Sequence, residues 1–151
     1  MHDRFQEEGF DFLLADGADW DEVLAEIDRE TRGVDLRPGR VRAEFLVAEV
    51  DGRIVGRTSI RYALAEFLLQ VGGHVGYAVA PQFRRRGYAT EILRLSLERL
   101  ARAGVDRVLV TCDDTNVGSI RTIERCGGEL EDVRQVDGDV LKRRYWILSR
   151  R

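Results

Sequence analysis

The sequence is poor in the residues from which most metal and nucleophilic sites are built. Its 151 residues hold two cysteines, Cys112 and Cys126, and two histidines, His2 and His74. With no CxxC and no Cys/His cluster, neither a disulfide framework nor a zinc site of recognisable spacing can be drawn. Lysine is nearly missing too: Lys142 stands alone among 24 Lys and Arg residues. A genomic preference for GC-rich arginine codons would account for that bias. Its chemical consequence is that the cations are planar forks suited to phosphate. No run of about 18 apolar residues exists, which excludes a membrane-spanning helix. The amino terminus lacks the apolar core of a secretory signal. Nor is there a basic excess, since the net charge is −3, and a general nucleic-acid binder needs one. The expectation is a reduced, cytoplasmic protein with no metal and no membrane or nucleic-acid partner.

What the chain does contain fits one globular domain spanning 1–151. Hydrophobic residues make up 44% and charged residues 34%, enough apolar content for a core. The charge is uneven. Residues 1–36 balance to −9 and residues 37–151 to +6. An acidic front of this kind can be a solvated helix face or can draw in a cationic amine.

The pattern of apolar residues sets the order of elements. Residues 3–14 allow a short helix. Asp19 is placed to cap a second one through Trp20, Val23, Leu24 and Ile27, which Gly33 ends. After Pro38-Gly39 the period changes to that of strands. Glu44–Val50 and Ile54–Tyr62 flank Asp51-Gly52, a strong hairpin-turn dipeptide. The apolar stretch 63–71 is a helical turn or a loop, broken by Gly72-Gly73. A strand follows at His74–Val79. A helix runs from Gly87 to Gly104 with Ala89, Ile92, Leu93, Ser96, Leu97 and Leu100 on one face. Then come a strand at 107–112, a helix capped by Asn116, and strands near 130–136 and 140–148 joined at Asp137-Gly138. Strand, helix and strand in succession predict a right-handed parallel crossover. The fold class is therefore α/β (α+β): a mixed, mostly antiparallel sheet with a central parallel pair, flanked by helices.

The chemistry concentrates in Val79-Ala80-Pro81-Gln82-Phe83-Arg84-Arg85-Arg86-Gly87-Tyr88-Ala89-Thr90. A strand ends, a cationic turn follows, and a helix starts at a glycine. Free N–H groups at a helix start, together with its dipole, make an anion site. Gly87 lets a ligand reach the backbone, and three arginines add charge. A pyrophosphate suits this arrangement. It is neither a GxxxxGK[ST] loop nor a GxGxxG loop.

Arg84-x-x-Gly87-x-Ala89 resembles the Gln/Arg-x-x-Gly-x-Gly/Ala signature of the GNAT family of N-acetyltransferases. Asn116-x-x-Ser119, Glu124 and Gly127-Gly128 resemble that family's second conserved region. The resemblance covers about 42–148. Residues 1–36 match less clearly, and this is where such enzymes differ to admit different substrates. Gly72-Gly73-His74, the strand end at Thr111-Cys112-Asp113-Asp114 and Arg144-Tyr145-Trp146 look like a bacterial subgroup of acetyltransferases.

The resemblance implies a GNAT-like domain in which the central parallel strands splay apart to admit a thioester. It implies acetyl-CoA as co-substrate, a small-molecule or peptide amine as acceptor, and direct transfer in a ternary complex. Paired subunits are common in the family, so a homodimer is implied as well. Tyr77, Ala78 and Val79 would pair with the pantetheine arm. Arg84, Arg85, Arg86, Gly87, Tyr88, Ala89 and Thr90 would hold the pyrophosphate, and Asn116 and Ser119 would touch the cofactor. The family often places an acidic tyrosine in the last helix. Counting from Asn116, that position is Ile123, which would lie against the cofactor but cannot donate a proton. Tyr145, Tyr77, Cys126 or a water is left as acid, and Glu66 and His74 as bases. The alternative is a non-catalytic acyl-CoA sensor or partner module on the same fold.

Overall fold

A computed structural model describes residues 19–136 and 138–150. The helix expected at 3–14 and Asp137 of the last turn lie outside the described residues. Helix α1 (Trp20–Arg32) is capped as its sequence predicts. The Asp19 carboxylate accepts from the N–H groups of Asp21 (2.8 Å) and Glu22 (3.3 Å), and Gly33 closes the other end in the left-handed region. Strands β1 (Ala43–Val50) and β2 (Arg53–Arg61) form the expected hairpin. Asp51 and Gly52 both have positive φ, 51° and 77°, which matches a turn whose twist fits paired strands. The ambiguous stretch 63–71 contains one short helix, α2 (Glu66–Gln70). Then come β3 (Val75–Val79), a 3-10 turn at Pro81–Phe83, α3 (Tyr88–Arg102), β4 (Arg107–Asp113), α4 (Val117–Arg125), β5 (Glu129–Val136) and β6 (Val140–Leu148).

The strands make two antiparallel three-stranded sheets, β1-β2-β3 and β4-β6-β5. β3 and β4, the central pair that the resemblance implies to splay apart, form no ladder. The two strands meet at one end only. His74 N–H donates to the Leu109 carbonyl (2.8 Å) and Leu109 N–H donates to His74 Nδ1 (2.9 Å). Next to them Gly72 N–H donates to Thr111 Oγ1 (3.0 Å). An imidazole nitrogen thus takes a place that a ladder carbonyl would fill, and the strands part beyond it.

One core bridges both sheets. Ile60 and Val75 from the first sheet and Val108, Val110, Tyr145 and Ile147 from the second pack with Leu93, Leu97 and Leu100 of α3 and Ile123 of α4. Each such buried aliphatic side chain stabilises by about 1.5–3 kcal/mol. Alternation along β2 sends Thr58 and Ile60 to the α3 side, where Thr58 and Ser96 hydroxyls bond at 2.9 Å in the interior. Ser59 and Arg61 take the opposite face, next to α1 and α2. The sheet therefore presents two faces, and β3 parts from β4 beyond the His74–Leu109 contact.

Candidate functional site

A cleft of about 680 Å³ opens where β3 ends and α3 and α4 begin. Its walls contain most of the residues expected to hold the cofactor: Tyr77, Ala78, Val79, Arg84, Arg85, Gly87, Tyr88, Ala89, Thr90, Asn116 and Ser119. The local sequence explains the shape. Pro81 starts a 3-10 turn, and Arg84 Nε donates back to the Val79 carbonyl (3.2 Å), fastening the turn to the strand it leaves. Arg85 and Gly87 then adopt positive φ, 62° and 82°, to swing the chain into α3. Gly87 caps α3 with no side chain. The first helical bond runs from Glu91 N–H to the Gly87 carbonyl (3.2 Å), so the N–H groups of Tyr88, Ala89 and Thr90 have no helical acceptor.

The charge of this cleft is of one sign. Arg84, Arg85, Arg121 and Arg125 line it, and no Asp or Glu does. None of the four is ion-paired among the described residues. Four guanidinium groups without an ion pair among the described residues, beside a helix start, have the chemistry that suits a polyanion.

Two expected cofactor residues sit elsewhere. Arg86 is exposed and lies over the Phe83 ring, 5.9 Å from its centre. Ile123 requires correction: it has no exposed surface and belongs to the core. Helix α4 turns Gly118, Arg121, Thr122 and Arg125 toward the cleft, with Ser119 at the edge of that face, which leaves Ile123 on the core side. The sequence reading missed Thr122, Arg121 and Arg125. Spacing of three from Ser119 to Thr122 and from Thr122 to Arg125 could have found two of them.

Tyr77 is the titratable group set deepest in this cleft. Its hydroxyl oxygen is buried, and burial pushes its pKa up to about 12, with Ser119 and Thr122 of α4 opposing the shift. It is therefore a neutral hydroxyl, able to donate. None of the other titratable candidates lines the cleft. Glu66 is exposed at the start of α2. Tyr145 is 1% exposed, its hydroxyl donating to Glu124 (3.2 Å) and accepting from Arg143 (3.2 Å). His74 is 5% exposed, its Nδ1 occupied by Leu109 N–H. Burial, then Arg61, lowers its pKa to about 4. Cys112 is buried and its thiol pushed up to about 11 by that burial, so it stays protonated. Cys126 Sγ lies 3.8 Å from the Thr90 carbonyl. Asp113 and Asp114 are ion-paired to Lys142 and Arg143 of β6, and the α4 cap is Asn116, whose Oδ1 accepts from Ser119 N–H (3.1 Å).

A second, smaller cleft of about 300 Å³ lies on the other face, between α1, the β1–β2 hairpin and α2. Glu26, Glu30 and Glu44 line it, each held by arginines: Glu26 by Arg29 (2.5 Å) and Arg37 (3.1 Å), Glu30 by Arg40 (2.6 Å), and Glu44 by Arg99 (2.7 Å). Among the described residues no His/Cys/Asp/Glu cluster could hold a metal ion, and no helix is long and apolar enough to cross a membrane.

Comparison with known proteins adds the following. The model of the acetyltransferase (GNAT) family matches residues 9–128. Among solved structures, Mycobacterium smegmatis RimJ in complex with CoA-disulfide superposes with a TM-score of 0.69 at 22% identity, covering 89% of this chain and 67% of that one. A ribosomal-protein-alanine N-acetyltransferase from Brucella melitensis gives 0.68 at 16% identity, covering 97% and 88%. The microcin C7 self-immunity acetyltransferase MccE, solved with acetyl-CoA and AMP, gives 0.62 at 20% identity, covering 85% and 68%.

Proposed function

This chain belongs to the acetyltransferase (GNAT) family, and from that premise we propose that it moves an acetyl group from acetyl-CoA to a primary amine by direct transfer. The observation that carries the reading is the 680 Å³ cleft, with its four unpaired arginines and the free N–H groups at the start of α3. The pyrophosphate would take the N–H groups of Tyr88, Ala89 and Thr90, with Arg84 and Arg85 as counter-charge. The unpaired side of β3 at Ala78 and Val79 would accept the pantetheine amides as a further strand would. The thioester would then lie at the parting of β3 and β4.

The reaction itself needs little covalent help from the protein. The amine nitrogen bonds to the thioester carbon and the C–S bond breaks. The amine gives up one proton, and the leaving thiolate takes one. No metal is called for. Positioning contributes much of the rate, and a placed acid adds to it. Of the acids that the sequence left open, Tyr77 fits best: it lines the cleft and keeps its proton at neutral pH. The acetyl group passes through the gap to an amine entering from the smaller cleft.

Two measurements test this. Calorimetric titration with acetyl-CoA should give saturable binding, and a free-thiol assay over an amine panel should give turnover. Tyr77→Phe should lower kcat by about 10²-fold or more while leaving acetyl-CoA binding within a few-fold of wild type. Absence of acetyl-CoA binding would end the proposal. Tight binding with no thiol release from any amine would replace it with the sensor reading.

A further inference from the structure

The smaller cleft has a charge that nothing around it answers. Arg61 extends from β2 into this cleft, and its Nη1 donates to the carbonyls of Gly72 (3.0 Å) and Gly73 (3.2 Å). Its guanidinium lies over Gly76 of β3, where an added Cβ would stand 3.7 Å from Nη2. No carboxylate pairs with it among the described residues, and its Nε and Nη2 have no hydrogen-bond partner there. Every carboxylate lining the cleft is already held by another arginine. Burial and then Arg40 work against the charge of Arg61, and Glu30, the weakest of the three influences, favours it. Two glycine carbonyls orient the fork without neutralising it. The position matters as much as the charge. Arg61 faces the seam where β3 leaves β4, on the side opposite the cofactor cleft.

We propose that Arg61 is the anchor for a carboxylate on the acceptor, so that the substrate is an amine that also carries a carboxylic acid. The open Nε and Nη2 edge presents two parallel N–H donors, the geometry a carboxylate takes. A phosphate dianion fits less well, because Glu30 and Glu44 border the same space. With its acid on Arg61, the acceptor's amine is directed into the gap between the strands. This assignment rests on the acetyl-transfer reading above and narrows its substrate class.

The test compares matched acceptors in the free-thiol assay: glycine, β-alanine and γ-aminobutyrate against their carboxamides. Wild-type kcat/KM should favour the acids by roughly tenfold or more for at least one pair, the size of a charged hydrogen bond. Arg61→Gln should erase that preference while acetyl-CoA binding stays unchanged. Arg61→Lys should retain part of it, and carries the comparison if the Gln variant does not fold. Equal use of acids and amides by the wild type, or a preference that survives in the variants undiminished, overturns the assignment and leaves acetyl transfer standing. If no amine releases thiol, the activity reading fails by itself. The subsite is then read by saturation-transfer NMR with N-acetyl-γ-aminobutyrate and its carboxamide. Binding of the acid alone, lost in Arg61→Gln, supports the anchor, and equal or absent binding of both overturns it.

Discussion

His74 offers a sharp physical test, because its environment sets both the sign and the window of a pH effect. The imidazole is buried, and its Nδ1 accepts from Leu109 N–H. Protonation would put a charge in the interior and turn that acceptor into a second donor facing a donor. The folded-state pKa is accordingly lowered from 6.5 to about 4. The unfolded chain takes up the proton first as pH falls, so its contribution to stability is complete above pH 6.5 and drains away toward pH 4. Linkage puts the loss between pH 7 and pH 5 at about 2 kcal/mol. In urea that is a midpoint shift on the order of 1 M.

The window is clean. Glu26, Glu44, Glu91 and Asp132 are all held below their ordinary carboxylate values, so their contributions disappear only in stronger acid. The matching variant is His74→Asn. Its amide oxygen can reach the same Leu109 N–H but does not titrate, and His2 remains in both proteins to cancel. Urea titrations at pH 7, 6 and 5 at constant ionic strength should show a steep fall for wild type and a nearly flat response for the variant. Parallel slopes would refute the claim that His74 is neutral and buried at the seam. A wild type that gained stability on acidification would reverse the sign of the argument.

Three further outcomes follow from the same contacts. Gly87→Val places a β-branched residue at φ 82° but meets no atom within 4 Å of its new Cβ. It should cost only about 1–2 kcal/mol of stability yet weaken acetyl-CoA binding about tenfold or more by calorimetry, since the added methyls stand where the ligand approaches the backbone. Gly73→Ala combines φ 58° with a Cβ driven into the Leu109 carbonyl. It should destabilise by more than about 3 kcal/mol in urea titration, and a loss below 1 kcal/mol would mean the loop can move away. Ile123→Tyr restores the family's usual residue type at a position with no exposed surface. It should lower stability by about 1–3 kcal/mol through overpacking and give no rise in thiol release.

Local signals read correctly where one short stretch decides the outcome. Asp19, Gly33, Asp51-Gly52 and Asn116 each act through their own backbone or a neighbour within a few residues, and each sits where its chemistry placed it. The turn from Arg84 to Thr90 belongs to the same class. Failures came where two distant segments had to be known together. Ile123 was assigned to the cofactor by counting along the chain. Which side of α4 meets the core is instead fixed by Tyr145 and Leu93, which no count from Asn116 contains. The parting of β3 from β4 is legible only through the family resemblance, because a strand–helix–strand order predicts merely that two strands are neighbours. It says nothing of whether their backbones bond.

That split also explains a run that the sequence presented only as a break. In Gly72-Gly73-His74-Val75-Gly76, each residue bears on the parting of β3 from β4. Gly73 has no side chain because the Leu109 carbonyl occupies the space. His74 supplies the acceptor that holds Leu109 N–H, in place of the carbonyl that would continue a backbone ladder between β3 and β4. Val75 turns into the shared core. The carbonyls of Gly72 and Gly73 take Nη1 of Arg61, and Gly76 leaves open the surface over which that guanidinium lies. Under the proposed function, a continuous ladder would close the way from cofactor to acceptor, and two unconnected sheets would leave its width undefined. A single clamped end fixes the angle of opening. The same five residues place Arg61, the proposed acceptor anchor, beside that opening. Substitutions in this run should therefore alter stability and acceptor selection together, whereas those in the Arg84–Thr90 turn should act chiefly on cofactor affinity and leave acceptor selection unchanged.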